Sequence, residues 1–486
     1  NAMRKTDESH RVLVLDPATG TGTFLYAVVD HIRRGFMERG DAGLWPGYVR
    51  DHLLPRLFGF ELLMAPYAVA HFKLSLQLAG RDLPEGQRAQ WAYTPQADER
   101  LGVYLTNTLE APHEMTGLPL FTQWVADESN AANAIKAELP VLVVMGNPPY
   151  SGHSSNKGQW ITDLLRGRLP DGGKTGNYYE VDGQPLGERN PKWLQDDYVK
   201  FIRFAQWRIE QSGQGILAFI SNNGYLDNPT FRGMRQSLLE TFSEIYVLNL
   251  HGSAVKSLVT PDGQRDENVF DIRPGVAIGL FIKQPGKVGP AKVLHADLWG
   301  TRANKYAWLS EQDVNLTEWA EITPRSPAYL FAPQELGLLS EYEQGWKITE
   351  VFPIHSVGIV TARDKLTIRW SREDVWATVK ELSSLPIEEA RSKYNLGPDA
   401  LDWKVQVAQA DVIDSGPSET KINPIRYRPF DSRYIYYTGK AGGFVCRPRP
   451  EVMRHMQNHN LGLHLCRQIV SEEWRHILAT NGITDD

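Results

Sequence analysis

Asn147-Pro148-Pro149-Tyr150 is the stretch of this chain best equipped to handle a planar amino group. Two consecutive prolines fix φ and remove two amide donors, so the corner they form has carbonyls free to accept. The Asn147 side-chain oxygen and the Pro148 carbonyl can each take one hydrogen from such a group. Accepting both draws the nitrogen lone pair out of ring conjugation and makes it a nucleophile, while Tyr150 offers a ring face for stacking. A sulfonium methyl already carries the driving force for transfer, so the protein need only align the displacement. No metal is required. Taken alone, such a tetrapeptide is also an ordinary turn.

A second motif supplies the partner chemistry. Asp16-Pro17-Ala18-Thr19-Gly20-Thr21-Gly22-Thr23 follows the apolar run 11–15, and helical spacing begins at Phe24. The glycines let the backbone turn tightly beneath a ligand. Leu25 stands where a dinucleotide fingerprint needs its third glycine, and Thr23-Phe24 cannot replace the Lys-Ser/Thr of a phosphate loop. An acid closing the strand would repel a pyrophosphate but suits an ammonium. Asp16 can pair with the ammonium of an amino-acid moiety, and Glu61, closing the next strand, can accept from ribose hydroxyls. Together these demands describe S-adenosylmethionine. A structural turn with a capping aspartate is the plain alternative.

These residues need a sheet to position them. Apolar runs at 11–15, 57–60, 101–105, 140–145, 215–220, 244–250 and 275–282 read as seven strands, alternating with helical patterns at 24–36, 64–78, 193–211 and 231–241. Such alternation predicts an α/β fold with a mostly parallel, doubly wound sheet, whose chemistry gathers at the carboxyl ends of the strands. Residues 151–191 are rich in Gly, Ser, Asn and Asp. They read as a long irregular insertion, either closing over a bound partner or forming a flexible surface loop, with His153 a loop residue and not a ligand. The alternation fails after about Lys287. We expect a catalytic domain over 1–290, a connector over 291–325 and a mixed α+β domain over 326–486, with Asn1-Ala2-Met3 a cloning remnant.

Composition bounds the rest. The 486 residues are 42% hydrophobic and 23% charged, enough for two or three packed cores. Cys446 and Cys466 cannot build a disulfide scaffold or a four-thiolate zinc site, and no metal site is expected. No apolar run approaches the ~20 residues that span a bilayer, so a cytoplasmic location with no membrane association is expected. The net charge of −6 hides a cationic stretch: residues 421–476 hold ten Lys and Arg against four acids. A polyanion would bind there.

With both motifs in hand, the chain resembles a gamma-class N6-adenine DNA methyltransferase, in which the cofactor motif precedes NPPY and target recognition lies C-terminal. It is most similar to the methyltransferase plus target-recognition region of Type ISP and Type IIG restriction–modification enzymes. Residues 190–201 (NPKWLQDDYVKF), Thr361-Ala362-Arg363-Asp364-Lys365 and Tyr427-Arg428-Pro429-Phe430-Asp431-Ser432-Arg433 share in that resemblance. It implies a seven-stranded Rossmann-like S-adenosylmethionine-dependent methyltransferase fold with a C-terminal mixed α+β target recognition domain. It further implies that Asp16, Ala18, Thr19, Gly20, Gly22 and Thr23 line the cofactor, with Glu61 at its ribose and Asn107 near its adenine. Asn147, Pro148, Pro149 and Tyr150 would form the catalytic corner, and Phe270 would be a second aromatic against a flipped adenine. Arg363, Arg426, Arg428, Arg433, Arg447 and Arg449 would contact double-stranded DNA, the partner over which the insertion at 151–191 would close. The gamma pattern also places a cofactor-binding helix upstream of the first motif, so further domains of the same polypeptide are expected. A phosphate loop and a nuclease carboxylate cluster are not seen in the sequence. Other readings are a DNA-binding specificity module with impaired cofactor binding, an RNA-adenine methyltransferase, or a protein-glutamine methyltransferase, whose planar amide makes the same demands.

Overall fold

The structure, a computed structural model, describes residues 12–96, 99–112, 123–150, 154–188, 191–254, 260–334, 336–399, 402–466 and 477–485. His153 and Asn190, like Arg467 and Arg475 of the cationic stretch, lie outside them. The chain divides into two compact units, 1–334 and 335–486.

The first unit is built on one large mixed sheet. All seven expected strands are present: β1 (Leu13–Asp16), β2 (Leu57–Glu61), β3 (Gly102–Leu105), β4 (Val141–Gly146), β5 (Gly215–Asn222), β6 (Glu244–His251) and β7 (Val276–Lys283). Two more follow, β8 (Lys292–Asp297) and β9 (Ala320–Ile322), so the sheet has nine strands in the order β9-β8-β6-β7-β5-β4-β1-β2-β3. β1 to β5 run parallel, and β7 slots antiparallel between β5 and β6. Strands covered on both faces can be apolar throughout, as β2 (LFGFE) is: four of its five residues are buried.

Helices α1 (Thr23–Arg39), α2 (Met64–Leu78), α3 (Asp197–Ser212) and α4 (Arg232–Thr241) fall where the spacing put them. α3 is buried on nearly every side, even at Lys200, Arg203 and Arg208.

Three expectations need correction. The first is the seven-stranded sheet, which has nine strands because the chain adds β8 and β9 beyond the expected set. Residues 291–325 are not a free connector: they supply β8, α5 (Arg302–Glu311) and β9. The first unit runs on to residue 334, because Phe331 donates its amide to Leu226 and its carbonyl receives His295 Nδ1. Nor is the described part of the Gly-rich insertion, 154–188, a loose loop. It forms a short helix (Gln159–Leu165) and two small hairpins. Ile161, Leu164, Leu165 and Tyr178 from it are wholly buried in the main core. Their apolar side chains outweigh the glycines between them.

The second unit has its own core around a four-stranded sheet, β10 (Ile368–Arg369), β11 (Ile422–Arg428), β12 (Asp431–Tyr436) and β13 (Ile483–Thr484), ordered β10-β12-β11-β13. Helices α6 (Arg372–Ser384) and α7 (Val405–Asp414) contribute Val375, Val379, Leu382, Ala408 and Val412 to that core.

Candidate functional site

The glycine bend lies where β1 ends. Gly20 and Gly22 take φ of +55° and +76°, and Gly22 caps α1. A Cβ on Gly22 would sit 3.2 Å from that of Ala70, so the bend also lets α1 pass close to α2. Thr19 holds the turn from both sides, donating its amide to Phe60 at 2.9 Å and its hydroxyl to the Asp16 carbonyl at 2.9 Å. Glu61 fastens the loop to β2. One of its oxygens accepts from the Gly20 amide and the other from Leu63, both at 2.8 Å.

Asp16 is fully buried. Its Oδ1 accepts from the Ala18 amide at 3.1 Å, while Oδ2 has no partner. Burial pushes its carboxyl up to about 7 against the help of the Ala18 amide, and the nearby Glu61 charge adds to the rise. A buried carboxylate oxygen left unsatisfied is costly and calls for a donor. β4 lies beside β1, and a Cβ at Gly146 would fall 2.6 Å from Asp16 Oδ1. The residue after Gly146 is Asn147, so the two motifs meet at the carboxyl ends of adjacent strands.

At that corner Pro148 is buried, while Asn147 and Pro149 are exposed. The Tyr150 hydroxyl donates to Asn147 Oδ1 at 2.5 Å and lies 3.1 Å from the Ile220 carbonyl at the end of β5. Desolvation raises its already high pKa, so the phenol keeps its proton and remains a donor. The acceptor expected to be free is closed by an internal hydrogen bond, which an incoming amine would have to displace.

Asn107, beyond β3, accepts from the Leu109 amide at 3.0 Å and donates to Glu110 and to Asn156 Oδ1 at 3.2 Å. Asn156 in turn donates to Asp197 at 3.0 Å. Ser154 donates to Asp197 at 2.5 Å, and Lys200 Nζ reaches Ser154 Oγ at 2.8 Å and the Asn156 carbonyl at 2.5 Å. The first turn of α3, from the NPKWLQDDYVKF segment, thus clamps the chain just after NPPY and ties it to Asn107. Lys200 has no exposed side-chain surface. Lys200→Met should lower the unfolding free energy by about 2–3 kcal/mol in urea titrations, because Asp197 and the Asn156 carbonyl lose their cation together.

Other contributors were missed from sequence. Thr108 Oγ1 donates to the Pro17 carbonyl at 2.5 Å, across 91 positions. Buried Lys136 donates to the Asn107 carbonyl at 2.6 Å, and desolvation pushes its pKa down to about 8. Its signal was legible: Ala132, Ile135, Lys136 and Leu139 share one helical face whose other members are apolar. Lys73 donates to Thr23 Oγ1 at 3.1 Å.

Phe270 is half-buried in an apolar cluster with Leu248, Leu250 and Ile220, and it makes no ring contact with Tyr150. Its loop is anchored by Asp266, which receives Lys305 Nζ at 2.7 Å and the amides of Gly252 and Gly300. A cavity of about 920 Å³ lies near Gly213, Lys283 and Lys292, at the opposite end of the parallel strands from Asp16 and Asn147. It brings none of the motif residues together. Among the described residues no cluster of three or more His, Cys, Asp or Glu could hold a metal ion, and no helix is long and apolar enough to cross a membrane.

In the second unit the expected arginines gather in two groups. Tyr427 is flanked by the guanidinium groups of Arg428 at 4.2 Å and Arg433 at 4.1 Å, and Arg433 also covers Trp370 at 3.9 Å. Arg363 lies over Trp403, and Arg447 pairs with the neighbouring Asp402. The Tyr427 hydroxyl donates to Asp364 at 3.1 Å, joining the TARDK and YRPFDSR segments. Arg449 instead begins a short helix, Pro450–Met456, and Arg426 stands apart from both groups near His464.

The fold and site define an open α/β unit with a glycine bend and an NPPY corner at adjacent strand ends, followed by an arginine- and aromatic-rich α+β unit. Residues 350–486 match the Type ISP C-terminal specificity domain. The chain is similar in structure to DrdV in its DNA complex (TM-score 0.62, 22% identity, 99% of this chain and 46% of that one). It is also similar to the Type ISP restriction–modification enzyme LlaBIII bound to DNA (0.60, 22%, 92% and 29%). A nuclease-deletion mutant of the Type ISP enzyme LlaGI, with a DNA substrate mimic, matches at 0.59 and 21% identity (90% and 36%). At these identities the likeness is one of fold, and the chain spans less than half the length of each. No curated protein matches the chain. It therefore resembles Type ISP restriction–modification enzymes in fold, and residues 350–486 match their C-terminal specificity domain.

Proposed function

We propose that the chain transfers a methyl group from S-adenosylmethionine to the N6 amino group of an adenine flipped out of a specific double-stranded DNA sequence, as part of a restriction–modification system. The observation that carries this reading is the junction of β1 and β4. A buried carboxylate with an unsatisfied oxygen, Asp16, lies so near Gly146, the residue before Asn147, that a Cβ there would fall 2.6 Å from Asp16 Oδ1.

The donor set fits that cofactor. Asp16 offers a buried oxygen to its ammonium, and the bend from Ala18 to Thr23 offers backbone to its methionine part. Glu61 retains lone pairs for ribose hydroxyls while holding Gly20 and Leu63. Asn107 would stand at the adenine. When bound, the cofactor supplies an electrophilic methyl on a positively charged sulfur. Asn147 and Pro148 accept the two amine hydrogens and aim the nitrogen, and Tyr150 yields its hydrogen bond and presents its ring. An adenine inside a duplex cannot reach this corner, so the base must leave the stack, at a cost that stacking against Tyr150 and Phe270 offsets. The likeness to enzymes solved with DNA, and the arginine-rich second unit, support duplex DNA as the substrate and a cytoplasmic setting.

Incubation with methyl-tritiated S-adenosylmethionine and duplex DNA tests the reading. Label should appear in DNA as N6-methyladenine. Label in RNA or protein alone overturns it, and DNA binding without cofactor uptake in calorimetry would reduce the chain to a specificity module.

A further inference from the structure

β11 and β12 form a hairpin whose connection is only Pro429 and Phe430. Phe430 takes φ of +64°, a backbone region that disfavours a bulky L side chain, and after a proline a tight turn usually places glycine there. Its ring packs on almost nothing, with 91% of the residue exposed. The turn thus pays in strain and in solvated apolar surface for a ring that contributes little to folding.

Beside this ring two arginines are braced, each by its own carboxylate. Arg428 pairs with Asp485 at 2.5 Å and Arg433 with Asp431 at 2.8 Å, while both guanidinium groups lie close to the Tyr427 ring. Tyr427 is tied to Asp364, so the hairpin base is held from the side. Trp370, 69% exposed beneath Arg433, adds a second aromatic face. The residues next to Phe430 in the chain are Arg428, Pro429, Asp431 and Ser432. Guanidinium groups held in fixed positions suit phosphates on either side of a base step.

We propose that Phe430 is a wedge that inserts at a base step of the duplex bound by the second unit, with Arg428 and Arg433 on the flanking phosphates. This rests on the DNA reading above. Apolar wedges of this kind unstack neighbouring bases, and ring–base stacking supplies the affinity.

The test uses the 486-residue chain and 40-bp duplexes, the latter enriched by the wild-type protein from a randomised library. Phe430→Gly relieves the turn, so its melting temperature should equal or exceed that of wild type. Its affinity for those duplexes should nevertheless fall about tenfold, with the salt dependence unchanged because no phosphate contact is lost. Thymines made permanganate-reactive by the wild type should become unreactive, and Phe430→Trp should keep both affinity and reactivity. Equal affinity for wild type and Phe430→Gly, or lost affinity with unaltered thymine reactivity, overturns insertion alone. Failure of the wild type to enrich any duplex overturns the DNA reading and the wedge with it.

Discussion

Asn147→Ala should lower methyl transfer to DNA by about 10²–10³-fold in single-turnover assays, with little change in DNA affinity. The proposed corner acts by accepting hydrogens from an amine that becomes cationic as the methyl arrives. Losing an acceptor aimed at developing charge has the weight measured for preorganised dipoles elsewhere. The fold should tolerate the change, since Asn147 is exposed and the Tyr150 hydroxyl keeps the Ile220 carbonyl as an acceptor. The unfolding free energy should therefore move by no more than about 1 kcal/mol. Asn147→Asp keeps an acceptor of the same shape and should retain more transfer than alanine. Unchanged rates in the alanine variant would remove the NPPY corner from the chemistry.

Asp16→Asn should separate stability from cofactor binding. In the folded protein the carboxyl sits at about 7, well above its ordinary value of 3.8. Between those values the folded state holds a proton that the unfolded state has released, so wild-type stability falls as pH rises from about 4 to 7. Asparagine carries no such charge. The variant should be more stable than wild type by about 1–3 kcal/mol at pH 8, and the gain should vanish towards pH 4. Calorimetry with S-adenosylmethionine should show the opposite sign, an affinity loss of about 10–100-fold, because the ammonium loses a charge-assisted partner. Wild-type affinity should weaken below about pH 7 as Asp16 takes up its proton, and this acid limb should be missing in the variant. Equal affinities at pH 7.5 would take Asp16 out of the cofactor site.

What the sequence discloses depends on how local the physics is. β1, β2 and β4 are continuous apolar runs that end in Asp16, Glu61 and Asn147, so both the strands and their chemical termini could be read directly. The antiparallel insertion of β7 could not. Strand direction depends on the route of a loop, and turn signals such as Pro261-Asp262-Gly263 do not fix the direction across a connection as long as 252–275. β9 escaped notice because an edge strand can be short and largely exposed, as Ala320–Ile322 is, and β8 because its alternating burial mixes Lys292, His295 and Asp297 with its apolar residues. In 154–188 glycine and asparagine masked the spacing of Ile161, Leu164, Leu165 and Tyr178. Candidate residues whose place follows from their own backbone position were legible. Those that act by reaching across the fold, such as Thr108 to Pro17 or Asn156 to Asn107, have no sequence signature.

The closeness of Gly146 to Asp16 has an evolutionary edge. Any side chain at 146 would press on the carboxylate and shift the corner behind it, so a single codon change could silence both halves of the candidate site while the second unit kept its own core. Under the proposed function, a lineage would be one step from a modifying enzyme to an inert reader of the same sequence, and the absence of a Cβ at one strand end would hold it on the near side.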